Sequence, residues 1–384
     1  MIESLFWLSA AAIIYTYAGY PLIIWLLACL RTRPVRKASI TPAVSVVLAC
    51  HNEERNLERR IQNLLESDYT AELLEVIVVS DGSTDSTGEI AGRLASSSNR
   101  VRSVIYAEQR GKAAALNAGV ENACGNIIVF ADARQNFERS AIRELTANFS
   151  DPQVGAASGE LVLDGGGASL GEGVGLYWKY EKAIRKSESR LGSVIGATGA
   201  IYAIRRELCQ PLPEGTILDD VFTPMSIALA GHRVVFDERA RAHDLASESL
   251  NHEFSRKVRT LLGNYQLCQL MPRLLVPNRA LLLQFYSHKL MRLAAPIFFI
   301  ILLASNAILT EYPVREATSP LYQISLAGQL TFYAAVLAGG YLLKHNHRIR
   351  LLNFAYVFSM MNAAALVGLI YFVFGKRNVW AREK

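Results

Sequence analysis

The hydrophobic residues of this 384-residue chain form two kinds of pattern. Residues 5–30 are almost entirely apolar, and three further apolar runs cover residues 293–309, 324–343 and 351–374. A helix needs about 20 apolar residues to cross the hydrocarbon core of a bilayer. The pattern therefore predicts one membrane span near the N-terminus and three membrane segments near the C-terminus.

Between these ends, short apolar runs alternate with amphipathic stretches. The predicted strands cover residues 43–49, 74–80, 101–106 and 126–131, and the predicted helices cover residues 54–66, 85–94 and 112–122. Strands that alternate with helices in this way predict an α/β fold built on a doubly wound, mostly parallel sheet. Residues 170–191 are compatible either with an amphipathic helix on the membrane surface or with an ordinary surface helix.

The two patterns divide the chain into six segments. We expect an N-terminal transmembrane helix (1–31), a basic linker (32–42), a cytoplasmic α/β domain (43–250), interfacial helices (251–291), C-terminal transmembrane segments (292–375) and a basic tail (376–384). Positive charge directly after the first span places the middle domain in the cytoplasm. If all three C-terminal runs span, the basic tail lies outside, against the same rule. Either one run does not span or the rule fails here.

The charge balance is mildly basic, with 40 Lys and Arg against 34 Asp and Glu and a net charge of +6. Much of the excess lies beside the apolar runs, as in residues 31–37 and 344–350, which favours an anionic membrane surface. No basic stretch is interleaved with aromatic residues as base stacking requires, so we expect no nucleic-acid partner. The five cysteines lack metal-ligand spacing and are expected to be core residues in a reducing compartment.

Two aspartates mark the carboxyl ends of predicted strands. Asp81 closes the second strand and opens a glycine turn, and Asp132 follows the fourth strand. Open α/β sheets bind their ligands beyond the carboxyl ends of the strands. We therefore expect a ligand site at this edge of the sheet.

Several motifs in order resemble those of membrane-embedded, inverting glycosyltransferases of the family 2 type, which include cellulose, chitin and hyaluronan synthases. The segments that carry the resemblance are residues 49–54, 81–85, 110–117, 130–134, 196–206, 218–221 and 256–260. The resemblance implies a GT-A-type sheet domain, a nucleotide-sugar donor (a UDP-sugar) and a divalent metal (Mg²⁺ or Mn²⁺), with no organic cofactor. It also implies a glycan or lipid-linked acceptor, membrane lipid, polysaccharide export partners and a place in a bacterial inner membrane.

The resemblance assigns the donor-binding residues. These are Asn52, Glu53, Asp81, Lys112, Asp132 and Arg259. A carboxylate at position 81 can accept hydrogen bonds from ribose hydroxyls or a base N–H. Asp132 is also the expected metal ligand, because hard divalent cations prefer oxygen ligands. Alternative roles remain for two of the set: Asn52 as a helix cap and Lys112 as a solvated lysine of a first helical turn.

The resemblance places the chemistry at an acidic pair. Asp220 matches the general base that takes the proton of the attacking acceptor hydroxyl, and Asp219 is its supporting neighbour. Gly199 matches the acceptor side of the site, where a glycine lets a sugar approach the backbone. By contrast, Asp85 is expected only to start a helix.

Two departures from the family pattern leave alternatives open. Arg134 stands where a second metal-binding aspartate is usual, and Thr260 stands where a tryptophan is expected to stack on the acceptor. The missing tryptophan puts long processive polymerisation in doubt. The alternatives are a single-addition transferase that acts on polyprenyl phosphate and a catalytically silent, nucleotide-binding partner of a polysaccharide export complex.

Overall fold

The structure of the protein is a computed structural model that describes residues 1–164, 171–245, 250–276, 281–312, 319–345, 347 and 349–375. The expected basic tail at 376–384 lies outside the described residues. Four of the eight described strands are those that the apolar runs predict. The strands are β1 (Val44–Cys50), β2 (Leu74–Asp81), β3 (Val101–Tyr106), β4 (Ile127–Ala131), β5 (Asn136–Phe137), β6 (Val154–Asp164), β7 (Ile201–Arg205) and β8 (Arg233–Leu245).

All eight strands form one sheet in the order β3-β2-β1-β4-β7-β6-β8-β5. Strands β1 to β4 are parallel to one another, with β1 between β2 and β4. Strand β7 then runs antiparallel to both β4 and β6, whereas β6 and β8 are parallel. The expected mostly parallel α/β sheet is confirmed, and the antiparallel insertion of β7 is an addition to it.

Eleven helices accompany the sheet within the described residues. They are α1 (Ile2–Leu30), α2 (Leu57–Leu65), α3 (Thr87–Ser97), α4 (Lys112–Glu121), α5 (Ala141–Ala147), α6 (Gly171–Leu191), α7 (Asp219–Leu229), α8 (Leu250–Leu270), α9 (Leu282–Glu311), α10 (Ser319–Lys344) and α11 (Arg350–Val373). Helices α1 and α9 each contain a π-helical turn, at Tyr15–Gly19 and Phe285–Leu290. Such turns often occur at functional sites.

The sheet carries a hydrophobic core on each face. In β1, the side chains of Val46 and Leu48 belong to one core and that of Val47 belongs to the other, and all three are fully buried. This burial explains why β1 is a continuous apolar run instead of an alternating one. Helices α2 and α3 pack against the first core, and α4 packs against the second.

Four helices are long and apolar enough to cross a membrane: Ile2–Leu30, Leu282–Glu311, Pro320–Lys344 and Arg350–Val373. They indicate a membrane protein. The second of them begins at Leu282, ahead of the expected start at residue 292. The earlier start brings polar residues such as His288 and Lys289 into a helix of membrane-spanning length.

We predict that Gly119→Ala destabilises the sheet domain. A Cβ at position 119 of α4 would lie 2.3 Å from Val47 Cγ1 in the central strand. Overpacking costs about 1–3 kcal/mol, whereas the better helix propensity of alanine returns at most about 1 kcal/mol. Thermal unfolding in detergent should show a lower melting temperature for Gly119→Ala.

The matched control is Gly192→Ala, because an added Cβ there has no heavy atom within 4 Å. The double variant Gly119→Ala/Val47→Ala should recover part of the loss caused by the clash. Equal melting temperatures for Gly119→Ala and Gly192→Ala would show that α4 does not lie so close to β1.

Candidate active site

The loops that follow β1 and β2 are joined by hydrogen bonds. Asn52 adopts a left-handed backbone conformation with φ of +56°. Its Oδ1 accepts a hydrogen bond from Thr84 N at 2.8 Å, and its own N–H donates to Ser83 Oγ at 3.2 Å. Asn52 therefore does not cap α2, whose N-cap residue is Asn56; it holds the two loops together at the edge of the sheet.

Glu53 and Asp85 complete this junction. Glu53 N donates to Thr87 Oγ1 at 2.8 Å, and Glu53 Oε2 accepts from Asn56 Nδ2 at 2.8 Å. Asp85 Oδ1 accepts from Thr87 N at 3.0 Å just before α3, whose N-cap residue is Ser86, and Asp85 Oδ2 accepts from Glu54 N at 3.2 Å. The polar residues of the two motifs bind one another and give this part of the edge a fixed shape.

Asp81 connects the end of β2 to the segment before α4. The side chain is almost fully buried, and its two carboxylate oxygens accept hydrogen bonds from Arg110 N at 2.7 Å and Gly111 N at 2.8 Å. Gly111 has φ of +92°, a conformation that suits glycine. Because a carboxylate has about four acceptor sites, Asp81 retains capacity for a ligand while it fixes the residues before Lys112.

Lys112 brings two of the predicted acidic segments together. Its Nζ lies 3.2 Å from Asp132 Oδ1 and 3.4 Å from Asp219 Oδ1. Burial lowers the pKa of Lys112, but the carboxylates of Asp132, Asp219 and Asp220 together outweigh it and raise the pKa. The side chain is therefore a permanent ammonium among carboxylates and not a freely solvated lysine.

Asp219 and Asp220 form the first turn of α7, where the helix dipole favours negative charge. Burial and, after it, the neighbouring Asp219 carboxylate raise the pKa of Asp220 to about 6, and Lys112 opposes this shift. A carboxylate with a pKa in this range can accept a proton near neutral pH. The geometry thus allows Asp220 to act as a base.

The segment before β7 lies directly against Asp220. Ala197 N donates to Asp220 O at 2.7 Å. A Cβ at position 199 would lie 3.0 Å from Asp220 Oδ2. Gly199 therefore leaves the Asp220 carboxylate room on the side where the resemblance places the acceptor.

Helix α8 packs against the residues just before the acidic pair of Asp219 and Asp220. Gly263 packs so closely that a Cβ there would lie 2.5 Å from Leu218 Cγ. Gln266 Oε1 accepts from Ile217 N at 2.9 Å, which holds the chain just before α7. Arg259 lies on the same helix, and its charge acts on the Lys112 ammonium. The predicted donor-side arginine thus lies near the carboxylate cluster.

The residue that replaces the second metal-binding aspartate turns towards a different partner. Arg134 Nη2 lies 3.9 Å from Asp244 Oδ2 on β8, and Gln135 Nε2 donates to the same oxygen at 2.8 Å. Within the described residues, no group of three or more His, Cys, Asp or Glu side chains is arranged to hold a metal ion. Asp132, the expected metal ligand, has a side chain that is 38% exposed, with its Oδ1 3.2 Å from the Lys112 ammonium.

Two buried residues of the site were not singled out from the sequence, although Tyr202 lies within the 196–206 segment. Arg60 of α2 is fully buried, and its Nε donates to Asp132 O at 3.0 Å while its guanidinium stacks on Phe137. Burial lowers the pKa of Arg60 to about 9. Tyr202 of β7 is also fully buried, and it lies beside the acidic pair. Burial and, after it, the charges of Asp219 and Asp220 raise the pKa of Tyr202. A helical arginine predicts a solvated face, so only the fold identifies Arg60.

Comparison with known proteins agrees with this architecture. The family model "Glycosyl transferase family 2" matches residues 45–212. Poly-β-1,6-N-acetyl-D-glucosamine synthase of Staphylococcus aureus is 26% identical over 228 residues, which are 58% of this chain and 55% of that protein. The enzyme of the same name from Staphylococcus epidermidis is 23% identical over 228 residues, with the same shares of the two chains. The chain therefore spans about half the length of these curated relatives.

A solved structure extends the similarity to the membrane helices. A mannosyltransferase from Pyrobaculum calidifontis, determined in complex with GDP-Man and Mn²⁺, superposes with a TM-score of 0.72 and 23% identity. The superposition covers 98% of this chain and 100% of that one, which shows a shared GT-A fold. Residues 45–212 therefore form a domain of glycosyltransferase family 2 on a GT-A sheet, and the chain is similar to polysaccharide synthases.

Proposed function

We propose that this glycosyltransferase transfers a sugar from a nucleoside diphosphate, with inversion, to a hydroxyl of a glycan or lipid-linked acceptor at the membrane. The observation that carries the proposal is the convergence of the Lys112 ammonium with Asp132 and Asp219, at 3.2 Å and 3.4 Å. Asp220 stands beside Asp219. Donor-side and acceptor-side motifs thus meet at one edge of the sheet, where open α/β sheets bind ligands.

The donor lies, in this proposal, across the ends of β1, β2 and β4. Asp81 accepts hydrogen bonds from the nucleoside, and the loop of Asn52 and Glu53 forms a wall of its pocket. Lys112 and Arg259 contribute positive charge to the diphosphate, which is the leaving group. A UDP-sugar is the donor to test first, since the staphylococcal relatives are named for an N-acetylglucosamine polymer.

Asp220 performs the proton transfer. The acceptor hydroxyl donates its proton to the Asp220 carboxylate as its oxygen attacks the anomeric carbon, and the bond from that carbon to the diphosphate breaks. A single displacement of this kind inverts the anomeric configuration. A positioned general base contributes about 10²–10⁴-fold to such a reaction.

A divalent cation, Mg²⁺ or Mn²⁺, fits the donor side with Asp132 as its protein ligand. Magnesium is commonly held by one or two carboxylates together with substrate phosphates, so Asp132 and the donor diphosphate are a sufficient set. The bound ion would neutralise charge that develops on the leaving diphosphate. The fold neighbour determined with GDP-Man and Mn²⁺ supports this assignment.

The acceptor side favours a short product. Thr260 is exposed, and its hydroxyl donates to Arg256 O within α8 at 2.9 Å, so it provides no aromatic face for a sugar. This observation favours single or few additions, including addition to a polyprenyl phosphate, over a long polymer. Product length on a gel separates the two outcomes.

The membrane arrangement is part of the proposal. Residues 1–31 and 282–375 hold the protein in a bacterial inner membrane, residues 43–250 form the cytoplasmic catalytic domain, and helix α8 lies at the interface; the start at residue 282 follows the span that begins at Leu282. The basic residues that follow α1 support a cytoplasmic catalytic domain. Polysaccharide export proteins are possible further partners.

The direct test uses membranes that contain the full chain and a panel of radiolabelled donors. UDP-N-acetylglucosamine, UDP-glucose and GDP-mannose are supplied in parallel, with and without a chelator. Transfer of label to a lipid or polysaccharide fraction supports the proposal. No transfer from any nucleotide-sugar by folded, membrane-inserted protein would contradict it.

We predict that Asp220→Asn lowers transfer by about 10²–10⁴-fold while donor binding is retained, because an amide cannot take the proton. Transfer is measured with radiolabelled donor, and binding is measured by titration calorimetry. Asp68→Asn, at an exposed position that is ion-paired with Arg143, is the control and should behave as wild type. Strong residual turnover of Asp220→Asn would remove Asp220 from the role of base.

The pH profile should report the same carboxylate. Since the pKa of Asp220 is raised to about 6, kcat/KM should fall about tenfold per pH unit below that value as the base becomes protonated. The Asp219 carboxylate contributes to this raised pKa. In Asp219→Asn the acidic limb should therefore move to lower pH. A shift to higher pH would show that another group controls the limb.

We predict that Asp132→Asn increases the metal concentration needed for donor binding by at least about tenfold, since the loss of even an outer partner of a metal ligand costs about 10–100-fold in affinity. Mn²⁺ titration in the presence of a UDP-sugar, followed by electron paramagnetic resonance, measures this directly. The exposed Asp68→Asn again serves as control. Unchanged Mn²⁺ affinity in Asp132→Asn would place the ion elsewhere.

A further inference from the structure

One half-buried cation connects the helix that packs on the membrane spans with the loop beside the base. Arg185 of α6 donates from Nη1 to Thr198 Oγ1 at 2.7 Å and from Nη2 to Ser158 Oγ at 2.8 Å. Its guanidinium also stacks on the ring of Phe236. The fork of an arginine can bind two acceptors in a fixed geometry, so Arg185 fixes both hydroxyls at once.

The two hydroxyls belong to a tight buried junction between β6 and the segment before β7. Thr198 N donates to Ser158 Oγ at 2.9 Å, and Thr198 Oγ1 donates to Gly159 O at 2.9 Å. Ser158 is fully buried and Thr198 is nearly so. Because leaving a buried donor or acceptor unsatisfied costs its full desolvation penalty, the conformation of this segment depends on these bonds.

The neighbours of Thr198 in sequence touch the base. Ala197 N donates to Asp220 O at 2.7 Å, and a Cβ at position 199 would lie 3.0 Å from Asp220 Oδ2. Thr198 thus stands between the residue that holds the Asp220 backbone and the residue that clears space for its carboxylate. A shift of Thr198 would move both.

The same helix is tied to the membrane spans by ionic contacts. His288 in the π-helical turn of α9 lies 2.7 Å from Glu188 and 3.0 Å from Glu181, through its two ring nitrogens. Arg292 pairs with Glu181. Tyr20 of α1 donates to Glu188 Oε1 at 2.5 Å. Glu181 and Glu188 therefore join α6 to two membrane-length helices on either side of Arg185 in sequence.

We propose that Arg185 is a positioning residue for the general base, and that α1 and α9 hold it in place through Glu188 and Glu181. This inference rests on the proposed function, with Asp220 as the base. Arg185 acts through the Thr198 segment, and its charge also acts on the Asp220 carboxylate. In this way the spans contribute to the geometry of the reaction as well as to membrane attachment.

Several charged and titratable groups surround the two residues. Those that face Asp220 are Asp219, Lys112, Lys289, Asp132, Arg185 and Tyr202. Those that face Arg185 are Glu188, Glu181, Asp220 and Glu160. Removing the Arg185 charge leaves Asp220 with fewer cations, which favours its protonated form.

Three variants in the full-length, membrane-inserted protein separate geometry from charge. Arg185→Lys keeps the positive charge but loses the two-donor guanidinium, and Arg185→Met loses both. Thr198→Val removes the hydroxyl that accepts one of the two hydrogen bonds. Lys186→Met, next along α6 and ion-paired with Glu238, is the matched control. The readouts are kcat, donor affinity and the pH of the acidic limb of kcat/KM.

We expect kcat to fall by up to about 100-fold in all three variants, the loss that a misplacement of about 1 Å can cause, with donor affinity unchanged. The acidic limb should stay in place for Arg185→Lys and Thr198→Val and should move to higher pH for Arg185→Met. The control Lys186→Met should match wild type in all readouts. Retained donor affinity also shows that each variant is folded.

The proposal is overturned if Arg185→Lys and Thr198→Val both keep the wild-type kcat. It is also overturned if the acidic limb of kcat/KM moves to higher pH in these two variants as far as it does in Arg185→Met. Should Arg185→Met fail to fold, the other two variants still decide the geometric role. A wild-type chain without any transfer activity contradicts the proposed function itself. An active wild type with an inactive Asp220→Asn and an unaffected Arg185→Lys contradicts only the role of Arg185.

Discussion

The site depends on a single ammonium group held among carboxylates. Lys112 lies within 3.4 Å of both Asp132 and Asp219, which come from different parts of the chain. Gathering carboxylates at one place is costly unless a cation compensates their charge. Lys112 supplies this cation from the protein itself, so Asp132 and Asp219 can stay together without a ligand. The remaining contacts of the site serve to place this group.

That placement begins in the loops at the edge of the sheet. Asp81 accepts the N–H groups of Arg110 and Gly111, so it determines where α4 and therefore Lys112 begin. Arg60 donates a hydrogen bond from Nε to the backbone oxygen of Asp132. The motifs that resemble those of family 2 glycosyltransferases thus form a rigid frame of mutual hydrogen bonds. Such a frame reduces the cost of arranging charges around a diphosphate.

The membrane helices are coupled to this frame. Glu181 and Glu188 of α6 contact His288 of α9, and Arg185 of the same helix reaches the hydroxyl of Thr198. Two of the spans that meet α6, α1 and α9, contain a π-helical turn at this level. Buried ionisable groups in or beside membrane-length helices are expensive and tend to be functional. Arg185 and the Thr198 segment connect these groups to Asp220, and the proposed positioning role of Arg185 rests on that connection.

The sequence by itself determined the first four strands, the two strand-end aspartates and the apolar helices. Continuous apolar runs identify buried strands, and the carboxyl ends of parallel strands lie at one edge, so Asp81 and Asp132 were recognisable from local pattern. Only the tertiary structure decided that Lys112 joins Asp132 to Asp219, that β7 runs antiparallel and that Arg185 reaches Thr198. These contacts join residues distant in sequence. The sequence around a buried arginine looks the same as that around an exposed one. The desolvation cost of the buried guanidinium is offset by hydrogen-bond partners that the fold brings to it, and not by its neighbours in the chain.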